Sequence, residues 1–170
     1  MKSIIFALTL AMVLILPMGA VAAVKYKYRV LHKFTGPPDG AGPNGSLIVD
    51  KAGNLYGTTV NGGLGEVGDG TVFKLTPNPD GTWTETVLYV FNGSYGNGPG
   101  SGLIFDNAGN LYGTTGFGGA YNSGVVFKLT PKPDGTWTEN ALYNFPPPGP
   151  EGALPGNMVF DAAGNLYGTT

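Results

Sequence analysis

An all-β protein built from repeated, antiparallel, four-stranded units is what three observations in this sequence predict. The heptapeptide Gly-Asn-Leu-Tyr-Gly-Thr-Thr occurs three times, at 53–59, 109–115 and 164–170, with spacings of 56 and then 55 residues. Each copy follows an apolar run that ends in aspartate, Asp50, Asp106 or Asp161. A second block, Val-Phe-Lys-Leu-Thr-Pro, stands at 72–77 and 126–131 and both times runs on through Pro-Asp-Gly into Thr-Trp-Thr-Glu. A strict period of this order marks propellers, solenoids or repeat arrays. Four short strands per period, punctuated by glycine and aromatic residues, mark a propeller blade. A stacked β-solenoid is the alternative, and the tight turns favour local hairpins over it.

One repeat divides into strand a over 47–49, strand b over 54–59, strand c over 71–76 and strand d over 82–91. The a–b link, Asp50-Lys51-Ala52-Gly53, has aspartate first and glycine fourth, which suits a type I turn leading into a tight hairpin. The c–d link, Asn78-Pro79-Asp80-Gly81, is the same turn with φ pre-set by proline. Both links recur in the second repeat. Alternation along strand d places Trp83, Val87, Tyr89 and Phe91 on one face and Leu88 and Val90 on the other. Residues 26–34 also alternate and align with the closing strands of both repeats, so they are expected to form a d strand of their own. The mature chain then reads d, abcd, abcd, ab: eleven strands, or about two and three-quarter blades, open or incomplete. A closed propeller normally needs about four to eight blades. The chain is therefore expected to be a piece of a longer repeat protein or to complete its ring by self-association or with further repeats.

Domain organisation follows. Residues 1–23 read as an export signal: Lys2 precedes an apolar stretch over 4–16, Pro17 and Gly19 break it, and Ala20, Ala22 and Ala23 offer a small-residue cleavage site. Cleavage is expected near residues 22–24, leaving a secreted, extracellular or cell-surface protein. The competing reading is a retained anchor, since residues 4–24 are just long enough to span a bilayer. Residues 24–170 form the repeat domain, with repeats over about 47–101 and 102–156 and a partial one over 157–170. Glycine and proline (30 and 14) make up about a quarter of the 170 residues, but the strict period argues against disorder. A net charge of −2 provides no basic footprint for nucleic acid or an anionic membrane. No cysteine is present, which excludes disulfides and thiolate metal sites.

The blocks Leu-Tyr-Gly-Thr-Thr, then Gly62-Gly63 or Gly118-Gly119, then Val-Phe-Lys-Leu resemble the Gloeo/Verruco repeat of bacterial secreted proteins over about residues 44–170. The resemblance implies export and often surface anchoring; it brings no activity and no catalytic residues.

Candidate chemistry is sparse. Asp50, Asp106 and Asp161 each stand beside one asparagine, too few oxygens for the six to eight of a calcium site. They read as turn residues, and no metal or cofactor is expected. Glu66 and Asp69 lie in the first b–c loop, where the second repeat has no carboxylate, and a carboxylate pair can cleave glycosides. A solvated loop explains them equally well. His32, the only histidine, occupies the position of Tyr89 and Tyr143 and reads as a half-buried strand residue. Trp83 and Trp137 follow equivalent turns and read as packing residues. The paired glycines form no phosphate loop, because no helix follows them. All length variation between repeats falls in the b–c and d–a loops, which emerge on one side and carry Tyr95, Phe117 and Tyr121. Loops on a rigid scaffold are where binding usually resides. These three aromatic residues, with Glu66 and Asp69, are the candidate ligand-binding set, for a glycan or another cell-surface ligand. The reading is a non-catalytic binding or structural surface module; the alternative is a secreted carbohydrate-active enzyme or its binding domain.

Overall fold

The computed structural model describes residues 27–63, 68–147 and 154–170, so the signal segment and Glu66 lie outside the described residues. All pairings between the strands are antiparallel. In the first repeat these are β1 (Ala41–Val49), β2 (Leu55–Asn61), β3 (Thr71–Pro77) and β4 (Trp83–Val90), hydrogen-bonded in that order. The second repeat has β5 (Asn97–Pro99) and β6 (Ile104–Phe105), both paired with β7 (Leu111–Phe117), then β8 (Val125–Pro131) and β9 (Trp137–Asn144). The third has β10 (Met158–Phe160) and β11 (Leu166–Gly168). This is the meander a propeller blade requires and a parallel coil does not. The sheets are separate units, none closed into a barrel.

Both hairpin turns form as their residues dictate. Asp50 N donates to Asn54 O, and Gly53 N to Asp50 O, with Gly53 at φ 85°. That is a type I turn closed by a left-handed residue, a conformation glycine adopts without penalty. The c–d turn repeats it, with Asn78 N donating to Thr82 O and Gly81 at φ 84°.

Three expectations need correction. Strand a is longer than the apolar run, beginning at Ala41 and interrupted between Asn44 and Ile48. In the second repeat the same interruption divides it into β5 and β6. Residues 27–35 form no strand. They lie against the first sheet through side chains instead: Phe34 meets Phe73 edge-on at 4.8 Å, and the Arg29 guanidinium donates to Gly81 O. Alternation reports which side chains can share a face, not whether a hydrogen-bonding neighbour lies alongside.

The third correction concerns strand d. Val72 pairs with Tyr89 but Phe73 pairs with Val87, so Leu88 is an extra residue; Leu142 is its counterpart in β9. A bulge of this kind shifts all later side chains to the opposite face. Trp83 and Val87 therefore share a face with Phe73, while Tyr89 and Phe91 share the other with Val72.

Each sheet thus has a backward and a forward face. Phe34 meets Phe73, and Phe91 meets Phe127 at 5.1 Å. In both contacts a residue from the preceding segment meets the backward-facing phenylalanine of strand c. Tyr56 meets Phe105, and Tyr112 meets Phe160, each at 5.0 Å, linking strand b to strand a of the following repeat. Between the first two repeats lies the core: Tyr56, Val72, Phe91, Leu103, Leu111, Val125, Phe127 and Leu129, all buried. Gly57 and Gly113 sit opposite Phe73 and Phe127 in the ladder. A Cβ there would lie 2.7 or 2.4 Å from the phenylalanine Cζ, so the ring fills the space a side chain would take.

Candidate functional site

The loop face is built on backbone contact. Gly119 N donates to Gly93 O, and a Cβ at Gly118 would fall 2.7 Å from the Gly96 Cα. In the first repeat a Cβ at Gly62 would fall 2.6 Å from the Gly40 Cα. The paired glycines are there because each b–c loop lies directly on the turn preceding its own repeat. Tyr95 in that turn, Phe117 at the end of β7 and Tyr121 in the b–c loop are 52, 54 and 58 % exposed. They belong to loops in contact, yet no ring contact joins them and none of them lines a described cavity.

Asp69 does something different. Its Oδ1 accepts from Asn97 Nδ2 and its carbonyl accepts from Gly98 N at 2.8 Å. It ties the first b–c loop to β5 of the next repeat, so Asp69 is a fastening residue. Ser123 stands at the equivalent place in the second repeat.

On the opposite side of the sheets the three aspartates do identical work. Asp50 accepts from Ala52 N and Asn54 N at 2.9 Å, from Asn54 Nδ2 at 2.7 Å and from the Tyr56 hydroxyl at 3.0 Å. Asp106 and Asp161 repeat all four bonds. At Asp50 and Asp106 partial burial works to raise the pKa, but the bonds from Asn54 or Asn110 and their companions outweigh it. The net result is a carboxyl below its usual value. At Asp161 the Asn165 bonds lead, in the same direction. Carboxylates committed to four bonds inside their own hairpins are turn residues. Among the described residues no three His, Asp or Glu side chains converge as a metal-binding set.

The same heptapeptide performs the same structural task three times, which is the mark of a family of repeats, and the Gloeobacter/Verrucomicrobia repeat matches residues 18–170. The chain belongs to the Gloeobacter/Verrucomicrobia repeat family. The match covers residues 27–35 as well, extending the resemblance beyond the blocks that first carry it. No curated protein matches the chain.

The repeat also places two carboxyls that sequence reasoning missed. Glu85 and Glu139 occupy equivalent positions on the backward faces of β4 and β9, opposite Leu75 and Leu129. The Oε1 of each is buried without a hydrogen-bond partner. Burial raises the pKa of Glu85, with Asp39 adding to the rise and His32 opposing it. Burial alone pushes Glu139 up to about 7. Tyr89, from the preceding repeat, is raised to about 12 by burial first, then by Glu139 and Tyr95. His32 takes the place of Tyr89 before the first repeat, half-buried as expected, with Nε2 3.0 Å from Asp39 Oδ1. The signal was available: Thr-Trp-Thr-Glu recurs, and the glutamate is in phase with the half-buried tryptophan.

A pH dependence follows. A raised carboxyl pKa means the folded state holds its proton more tightly than the unfolded chain does. The associated stability is fully present below about pH 4.5 and is lost as pH rises through about 7. Glu139 is half-buried, so the loss is discounted for solvent screening to about 1–2 kcal/mol. Glu139→Gln is expected to flatten the denaturation-midpoint profile between pH 4.5 and 7. An unchanged slope would remove Glu139 as its source.

Trp137 packs against the core and walls a cavity of about 540 Å³ between the first two repeats, with Tyr56 and Phe105 beside it. It is a packing residue at a seam.

Proposed function

We propose that this protein is an exported, non-catalytic module that binds a glycan or another cell-surface ligand, or serves as a structural element there, through its loop face. The observation that carries this reading is the exposure of Tyr95, Phe117 and Tyr121 on loops held by backbone contact. An aromatic ring offers apolar area at low entropic cost when its support is already rigid. In this reading Asp69 supports the face by fastening neighbouring repeats.

Alanine at all three aromatic positions is expected to weaken binding in a glycan array or titration by about tenfold or more. Binding that survives the triple substitution removes the loop face from consideration. Export has its own check: N-terminal sequencing of the exported protein is expected to begin near residues 22–25, and a sequence still beginning at Met1 would refute cleavage. The 1–23 signal lies outside the described residues and rests on its composition alone.

A secreted carbohydrate-active enzyme is the second reading, and one observation favours it. Burial pushes the Glu139 carboxyl up to about 7, the direction that a general acid in glycoside cleavage requires. Release of reducing sugar that Glu139→Gln abolishes, with folding intact, would establish it over the first.

A further inference from the structure

We propose that the cavity between the first two repeats, walled by Tyr56, Phe105 and Trp137 and bordered by Asp50 and Asp106, binds a quaternary ammonium group. The cavity measures about 540 Å³, within the range of small-molecule sites, and every residue lining it belongs to the two complete repeats. Its walls come from three different strands: Tyr56 from β2, Phe105 from β6 and Trp137 from β9. Tyr56 meets Phe105 edge-on at 5.0 Å, so two of the three rings fix each other's orientation. Among the residues lining the cavity, Lys51 is the one cation, and it is exposed.

The carboxylates select the ligand by what they lack. An ionised carboxylate has about four lone-pair sites. At Asp50 they are taken by Ala52 N, Asn54 N, Asn54 Nδ2 and the Tyr56 hydroxyl. Asp106 is saturated in the same way. Both carboxyls lie below their usual value, so both are charged at neutral pH. What remains is negative charge without free acceptors. A sugar hydroxyl or a primary ammonium needs an acceptor to bond, and a metal ion needs oxygen lone pairs. A quaternary ammonium needs neither, because its charge is spread over methyl groups that pack against aromatic rings.

The chain already places a cation at an equivalent ring. In the second repeat Lys128 Nζ lies 5.5 Å from the centre of the Tyr112 ring, whose hydroxyl donates to Asp106. Tyr112 is the counterpart of Tyr56, and Lys74 that of Lys128. Lys74 pairs with Tyr56 in the ladder yet does not line the cavity. The site is independent of the loop-face reading, since none of Tyr95, Phe117 or Tyr121 lines it.

The test is calorimetric titration of the full chain, at low ionic strength, with choline and with dimethylbutanol, its neutral carbon isostere. Saturable choline binding at about millimolar concentration is expected, about tenfold or more tighter than that of dimethylbutanol. Lys51→Met removes the like charge and is expected to tighten choline binding by about threefold. Trp137→Leu is expected to weaken it by about tenfold. Absent binding, equal binding of the two compounds, weaker or unchanged binding by Lys51→Met, or unchanged binding by a folded Trp137→Leu would each overturn the proposal. Should Trp137→Leu fail to fold, the isostere and Lys51→Met still decide the matter. Cosedimentation with phosphatidylcholine vesicles that free choline competes off would place the ammonium on a lipid head group, and choline binding without it would place it on a soluble ligand; both support the site.

Discussion

Phe127→Ala is expected to lower the stability of the folded protein by about 3–5 kcal/mol, the cost of truncating a fully buried aromatic side chain. Its ring is entirely buried and meets Phe91 of the preceding repeat edge-on at 5.1 Å. Beneath it is Gly113, which has no side chain to move into the space left behind. Leu111, Leu129 and Val125 are held in the ladder around it. A cavity bounded by paired backbone relaxes little, so the cost belongs near the upper end of that range. Phe73→Ala is expected to cost less, because the ring that meets Phe73 comes from residues 27–35, which are not hydrogen-bonded into a sheet. Urea denaturation checks both, read as midpoint shifts at constant slope. Equal losses for the two would contradict the ranking.

Gly113→Val is expected to cost about 3 kcal/mol, the upper end for overpacking a closed core. The cause is space, not backbone conformation. A Cβ at Gly113 would stand 2.4 Å from Phe127 Cζ, 2.8 Å from its Cε1 and 3.0 Å from Leu103 Cδ2. Those atoms belong to buried side chains without room to retreat. Gly109→Ala provides the contrast, since nothing lies within 4 Å of its Cβ position and only its φ of 84° resists substitution. That costs about 1–2 kcal/mol. A melting temperature unchanged by Gly113→Val would refute the account of why this glycine recurs.

What was legible in the sequence is what local chemistry decides. Asp50, Gly53, Asn78 and Gly81 specify their turns through bonds to residues at most six positions away. Strands b and c were readable because identical blocks must do equivalent work. The stretch 41–46 was not, because Gly42, Pro43 and Gly45 disfavour strand locally, and pairing with β2 overrides that preference. The bulge at Leu88 carries no composition signal, since leucine suits either face. At the candidate site, exposure of Tyr95, Phe117 and Tyr121 was readable from their place in polar loops. The fastening role of Asp69 was not, because its partners Asn97 and Gly98 come from a different repeat. Glu85 and Glu139 escaped notice because charge suggests solvent, whereas their phase with Trp83 and Trp137 suggests the interior.

The extra residues Leu88 and Leu142 turn each closing strand partway along, so that one half looks back and the other ahead. A sheet arranged this way has no interior of its own: Phe73 completes what lies before it, and Phe91 what lies after. The unit that persists is the seam, half from one period and half from the next. Chain exchanges that keep seams whole, by cutting at corresponding points of two periods, leave every contact a native counterpart. Cuts that keep sheets whole but alter what adjoins them do not. Cooperativity therefore runs along the chain through nearest neighbours, as in a one-dimensional array, and loosening one seam loosens the sheets on both sides of it.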